Sequence, residues 1–306
     1  MRIASLVPSA TEIVYSLGLG DHLVGRSPEC DYPPEVVAKP VVSASVFDGA
    51  ALASPDIDAT VRRHLAGPDG AASLYHVDGE RLRRARPDLL LTQGLCRVCA
   101  ASVEAVRRAA DSMDRPPEVL SLDPTSLDDI FEDILLVGEK TGQPERAKGL
   151  VAALRERVEV VRRTVSGRAR PGVVCIEWFD PVFSAGHWVP EQVAYAGGEE
   201  RIGRPRTVSH VVPWDRIVAA EPEVLVLMAC GFDVPRAIQE VHRITRREGF
   251  ASIPAVRDGR VFVVNGSAYF NRPGPRTVDG VELLAHLFHP DVFPEPWPDS
   301  AVRRLT

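Results

Sequence analysis

Short apolar runs alternate with amphipathic segments along the whole chain. In the first part, 2-RIASLV-7, 22-HLVGRS-27, 40-PVVSA-44, 88-DLLLT-92 and 118-EVLSL-122 predict strands. In the second part, 172-GVVCIEW-178, 223-EVLVLM-228 and 260-RVFVV-264 do the same. Strands separated by helical segments predict an α/β fold with parallel sheets covered by helices. The first helix is expected to start at Ser9 as N-cap, with Glu12 completing a capping box, and to close at Gly18 and Gly20. In the middle, Ile130, Ile134 and Val137, then Leu150, Leu154, Val158 and Val161, fall on a helical period. Gly142 and Pro144 split this region into two helices, the second running on to Gly167.

One unit occurs twice. The stretch 79-GERLRRARPDLLLTQG-94 and the stretch 214-WDRIVAAEPEVLVLMACG-231 both read acid, Arg, short helix, Pro, acid, apolar strand, Gly loop. In each, the acid lies seven residues before the Pro. Duplicated architecture follows. The organisation expected is an N-terminal lobe over 1–124, linking helices over 125–167 and a C-terminal lobe over 168–306. These are two Rossmann-like lobes with parallel sheets, joined by a long rigid helix, with a ligand cleft between them. The segment 48–75 reads as an insertion carrying its own helix.

At 306 residues, two lobes also suit the length, and 45% hydrophobic with 25% charged residues is ordinary for a globular chain. A net charge of −6 gives no basic footprint, so nucleic acid is not an expected partner. No run approaches the ~20 apolar residues that span a bilayer, so membrane insertion is not expected either. The chain opens directly on a strand and helix start, without an apolar leader. That predicts a cytoplasmic setting, or a periplasmic or surface one if a precursor was trimmed. Five cysteines make no disulfide framework.

Ligands of α/β sheets gather at the carboxyl ends of strands. Here those loops are 7-VPSATE-12, 27-SPECDYP-33, 93-QGLCRVC-99, 177-EWFDPVFSAGHWVPE-191, 229-ACGFD-233 and 269-YFNRPGPR-276. Aromatic residues beside Pro and Gly make flat, rigid walls suited to a large planar ligand. The pair Cys96 and Cys99 is a two-ligand motif, half of what a zinc site takes. By analogy with Cys230 in the second loop, the pair reads as ligand-facing loop and helix start.

The opening 3-IASLVPSATEIVYSLGLGDHLVGRSPECDYPPEV-36, the Pro-acid-strand unit at 87–92, the segment 176-IEWFDPVFSAGHWVPEQVAYAGGEERIG-203 and 213-PWDRIVAAEPEVLVL-227 carry a resemblance. Together they resemble the cobalamin-binding proteins of ATP-driven corrinoid uptake. Those proteins belong to the helix-linked class of substrate-binding proteins, which also carries haem and iron siderophores. The resemblance implies non-enzymatic binding of cobalamin or a related corrinoid, a tetrapyrrole-like ligand, edge-on in the cleft. Carried over by position, Pro8, Ser9, Tyr32, Trp178, Phe179, His187 and Trp188 are its contact candidates. Gln93, Cys96, Phe232 and Arg272 join them from the strand-end loops. The resemblance also implies docking on an ABC permease, if the chain is exported, through Glu80 and Asp215. His187 would be an axial ligand to cobalt; no resident metal site is expected.

Two alternatives remain open. Haem or a ferric siderophore would use Arg97, Arg272 and Arg276 to balance carboxylates, since Arg pairs them bidentately. A metal or redox protein would use Cys96 and Cys99 with Cys30, Cys230 or His187. An enzyme is not expected, because no nucleophile elbow, Walker loop or dinucleotide glycine motif is present.

Overall fold

The structure is a computed structural model that describes residues 1–49, 52–66, 74–95 and 101–305. It divides into two compact units, Met1–Pro124 with Asp129–Val151, and Thr125–Asp128 with Ala152–Thr306. The middle region forms helices Leu127–Lys140 and Pro144–Val165. Their break falls where Gly142 takes φ 71° and Pro144 starts the second helix, and Gly167 turns the chain out with φ 75°.

The first unit contains β1 (Ile3–Ser5), β2 (Leu23–Arg26), β3 (Ser43–Ser45), β4 (Tyr75–Val77), β5 (Leu89–Thr92) and β6 (Glu118–Ser121). Four of them make a parallel sheet in the order β2-β1-β5-β6. Ile3, Leu90 and Leu91 have no exposed surface, as expected of strands covered on both faces. Ala4, Leu6 and Leu90 pack with Leu82, Val106 and Ala110 from helices Gly79–Ala85 and Val103–Asp111 into one core.

Two expectations are corrected here. The strand expected at 40–44 does not extend the sheet: Val41 makes one parallel bridge to Arg26, and the chain then pairs as β3 with β4 in an antiparallel ribbon. Helix Ser54–Leu65 lies in the stretch read as an insertion, between these two strands. The first helix runs Pro8–Ser16 with Val7 as N-cap and no side-chain cap. Pro8 supplies the reason, because it has no N–H to satisfy and its φ is already helical. Ser9 and Glu12 therefore lie inside the helix and are buried at 3% and 2% exposure. The closing glycine is as expected, Gly18 at φ 72°.

The second unit contains β7 (Gly172–Phe179), β8 (Val182–Ser184), β9 (Glu199–Glu200), β10 (His210–Val211), β11 (Val224–Leu227), β12 (Val261–Val264) and β13 (Val302–Arg304). They form one sheet in the order β10-β8-β7-β11-β12-β13, with β9 beside β7. The trio β7, β11 and β12 is parallel, while β8, β10 and β13 run antiparallel to their neighbours. The sheet is thus mixed rather than wholly parallel. The turn Asp180–Pro181 is too short for a crossover, so β8 can only return antiparallel beside β7.

The repeated unit holds in three dimensions. Helices Gly79–Ala85 and Trp214–Ala219 lead into β5 and β11 through Arg86 and Glu221, both left-handed at φ 45° and 44°. The acid after each proline ties down the strand next door. Asp88 accepts the Arg2 N–H at 2.8 Å and donates its own N–H to Arg2 O at 2.7 Å. Glu223 accepts the Gly172 N–H at 2.7 Å and donates its N–H to Gly172 O at 2.8 Å.

Candidate functional site

In the first unit, the loops after β1 and β2 are bound to each other. Thr11 Oγ1 donates to Ser5 Oγ at 2.8 Å and lies 3.0 Å from Cys30 Sγ, and Ser27 Oγ lies 3.4 Å from the same sulfur. Cys30 is buried in this polar knot, a structural role for a small side chain. Tyr32, two residues on, is 42% exposed, and Pro8 is half-buried. Ser9 and Gln93 are nearly covered, so Pro8 and Tyr32 are the candidates this unit presents. Beyond Gln93, the Gly94 N–H donates to the Asp123 carboxylate. Cys96, Arg97 and Cys99 lie outside the described residues.

In the second unit, β7 delivers Glu177 where its register with β8 shifts, then Trp178 and Phe179, which alternation sends to opposite faces. Trp178 is half-buried and packs on Phe232, centroids 5.4 Å apart at 56°. The guanidinium of Arg236 sits 4.8 Å from the Phe232 centroid, a cation–π contact. Glu240, itself buried, holds Arg236 at 2.9 Å and Arg243 at 3.0 Å. Arg247 then reaches Phe179 O at 3.2 Å and covers Trp214 at 5.7 Å. The chain of contacts fixes Trp178 as a braced aromatic plate at the strand end.

Three contact candidates are reassigned. Phe179 has no exposed surface and belongs to the core. Trp188 is 5% exposed, and its Nε1–H donates to Phe270 O at 2.8 Å, so its polar edge is already used inside the fold. Phe232 is covered and acts as the support of Trp178. His187 stands at φ 53°, its N–H donating to Thr207 O at 2.6 Å and its carbonyl accepting the Arg206 N–H at 2.9 Å. Gly186 permits that approach, since a Cβ there would lie 2.5 Å from Thr207 O. The His187 Nε2 is shielded from solvent and bonded to nothing described, and burial lowers the imidazole pKa. A neutral ring suits coordination, but in this conformation Nε2 has no surface to offer a metal.

One residue escaped the sequence reading. Glu177, the single acid in an otherwise apolar strand, accepts Ser209 Oγ–H at 2.8 Å and the Gly186 N–H. Burial raises its carboxyl pKa. It anchors the two loops that carry His187 and Ser209. Arg272 and Arg276 are half-buried at the start of helix Thr277–Phe288. Among the described residues, no three His, Cys, Asp or Glu side chains are grouped to hold a metal ion.

The two docking candidates both open a helix. Glu80 is exposed and ion-paired with Arg84, behind Asp78, which caps the helix by accepting the N–H groups of Glu80 and Arg81. Asp215 is exposed, and its carboxylate accepts the Arg216 N–H at 3.0 Å. No helix among the described residues is long and apolar enough to cross a membrane.

Residues 3–268 match the family model for the periplasmic binding proteins. The chain is 26% identical to an uncharacterised ABC transporter substrate-binding lipoprotein of Bacillus subtilis, covering 96% of this chain and 82% of that one. A vitamin B12-binding protein of Vibrio cholerae is 24% identical, over 92% of this chain and 87% of the relative. In three dimensions, the apo periplasmic haem-binding protein of Roseiflexus sp. RS-1 aligns with a TM-score of 0.70 and 23% identity. That alignment covers 95% and 98% of the two chains. Names that include lipoprotein and periplasmic lend no support to the expected cytoplasmic setting. The chain belongs to the periplasmic binding protein family.

Proposed function

We propose that this member of the periplasmic binding protein family binds cobalamin or a related corrinoid and presents it to an ABC permease. The observation that carries the reading is the Trp178 plate, half-buried at the end of β7 and braced from behind by Phe232 and Arg236. A rigid aromatic plane loses little entropy when a flat macrocycle settles on it, which is what a large apolar ligand rewards. The extensive relation to a vitamin B12-binding protein supports the same ligand class. Arg272 supplies a polar edge in the same unit as Trp178, and Pro8 and Tyr32 are the first unit's own candidates. Glu80 and Asp215 are the acids through which the chain meets arginines of a permease. Titration of the purified chain with cyanocobalamin, followed by absorption and calorimetry, tests the proposal. Saturable binding at micromolar concentration is the expected result, and no binding of any corrinoid form sinks it.

Haem is the second reading, favoured by Arg272 and Arg276, two guanidiniums four residues apart in one loop. Carboxylates of haem would pair with them, whereas corrinoid amides carry no charge to pair. Competition between haem and cyanocobalamin in the same cell decides between the two.

A further inference from the structure

The second unit has an open cavity of about 470 Å³ at the end of its sheet where β7, β11 and β12 begin. This is the opposite end from the loops just described. Its lining includes Arg168, Arg170, Arg260 and His289, with Glu223 as the single acid. The size falls within the roughly 300–1,000 Å³ range of small-molecule sites. Two helices, Pro144–Val165 and Thr277–Phe288, also end here, and their carbonyls draw cations.

That demand is met with charge to spare. Arg260 Nη2 donates to Leu287 O and Phe288 O, both at 3.3 Å, and Arg170 places Nε and Nη2 on Gly198 O at 3.2 and 2.6 Å. His289 Nε2 lies 3.3 Å from Gly197 O. Arg168 is paired with Asp291, and the Glu223 carboxylate is engaged by the Gly172 N–H. Arg260 is half-buried and has no carboxylate within ion-pair distance among the described residues. Among the described residues, its Nε and Nη1, and Nη1 of Arg170, have no acceptor. Among the lining residues, three guanidiniums face the one carboxylate of Glu223; outside the lining, Asp291 pairs with Arg168, and Asp258 and Arg304 act on Arg260 with opposite signs, so the pocket holds a net positive charge before His289 is counted. A partly desolvated cation without a counter-ion is costly, and an oxyanion supplies both charge and acceptors.

We propose that this pocket binds a phosphate dianion, free or as a phosphate monoester, between Arg170, Arg260 and His289. The site is independent of the corrinoid reading. Burial, and the neighbouring charges of Arg168 and Arg260, now hold the His289 imidazole pKa below its usual value. The charges acting on that ring are Arg168 and Arg260; Arg170 and Glu223 share its pocket, and Asp291 pairs with Arg168. A bound dianion reverses the sign of the field, so the His289 pKa rises on binding.

The test is NMR titration of His289 in the full chain with inorganic phosphate and with glycerol 3-phosphate, acetate serving as control. A saturable upward shift of about half a unit or more with either phosphate, and none with acetate, is expected. Tighter binding of glycerol 3-phosphate assigns a monoester, and equal binding assigns the free ion. Arg260→Gln removes a helix cap and risks misfolding. The deciding variant is therefore Arg170→Gln, exposed and held only by a carbonyl, which should weaken binding at least about tenfold, a loss of ~1.4 kcal/mol. Absence of a shift with both phosphates, or a shift that Arg170→Gln leaves intact, overturns the proposal and leaves the arginines as helix caps.

Discussion

The two units are built on one plan and finished differently. In each, a short helix turns through a left-handed residue and a proline into a buried parallel strand, and the next acid pins the start of the central strand. The first unit leaves that central strand, β1, at three residues, while the second extends β7 to eight and folds it back as β8. The extension is where Glu177 and Trp178 stand. The shared plan makes a scaffold, and the added length at one strand end is what supplies a braced aromatic surface.

The sharpest way to break this contrast is Glu240→Ala. Removing a buried carboxylate that serves two arginines takes the nearest counter-charge from Arg236 and leaves Arg243 the longer pair with Asp180 at 3.9 Å, and should cost the second unit about 3 kcal/mol. Differential scanning calorimetry would show the loss. A variant as stable as the parent would mean that the brace is ornamental.

Each unit also buries one acid whose pKa is pushed up to about 7. Asp133 in the first is raised by burial, then by Asp123 and Asp129; Glu200 in the second is raised by burial, against backbone N–H bonds that lower it. Between roughly pH 4 and 7 such a group keeps its proton when folded and loses it when unfolded. Stability therefore falls as pH rises through that window. Asp133→Asn and Glu200→Gln should flatten the slope and add on the order of 1–2 kcal/mol at pH 8, read by urea denaturation at several pH values. The gain should be larger for Asp133, whose Oδ2 has no hydrogen bond, than for Glu200, whose oxygens accept from Cys175, Ile202 and Gly203. Equal gains would mean that those backbone bonds do not matter.

For binding, Trp178→Ala should weaken cyanocobalamin roughly tenfold, about 1.4 kcal/mol, and Tyr32→Ala clearly less. Calorimetry that ranks them in the reverse order would move the principal contact to the first unit. The smallest effect compares the twin acids. Asp88→Ala and Glu223→Ala each lose one charge-assisted bond to a backbone N–H and should each cost about 1 kcal/mol, as both are exposed. A difference well beyond that between them would show that the repeat is one of shape without shared energetics.

Much of the scaffold could be read from the letters. Strand β5 starts one residue inside the run 88–92 and β11 one inside 223–228, because covered strands write continuous apolar runs. Segments such as Glu199–Glu200 and His210–Val211 are too short and polar to leave any period, and only their partners make them strands. The first helix was misplaced because Ser9 offered a cap, while Pro8 had already settled the start. At the site, alternation along β7 decides which of the adjacent aromatics Trp178 and Phe179 faces inward, a choice that residue type alone does not reveal, and Phe179 is the one in the core. Glu177 was legible in principle, as an acid inside an apolar strand, and it was the clearest signal missed.

Arg86 and Glu221 carry opposite charges, yet the backbone bends at both with nearly the same dihedral. What the two halves preserve at that point is a shape without a letter. A search for further copies of this unit would therefore do better to look for a left-handed bend, a proline and a strand-pinning acid in that order. Sequence identity at the bend would discard the very relatives sought.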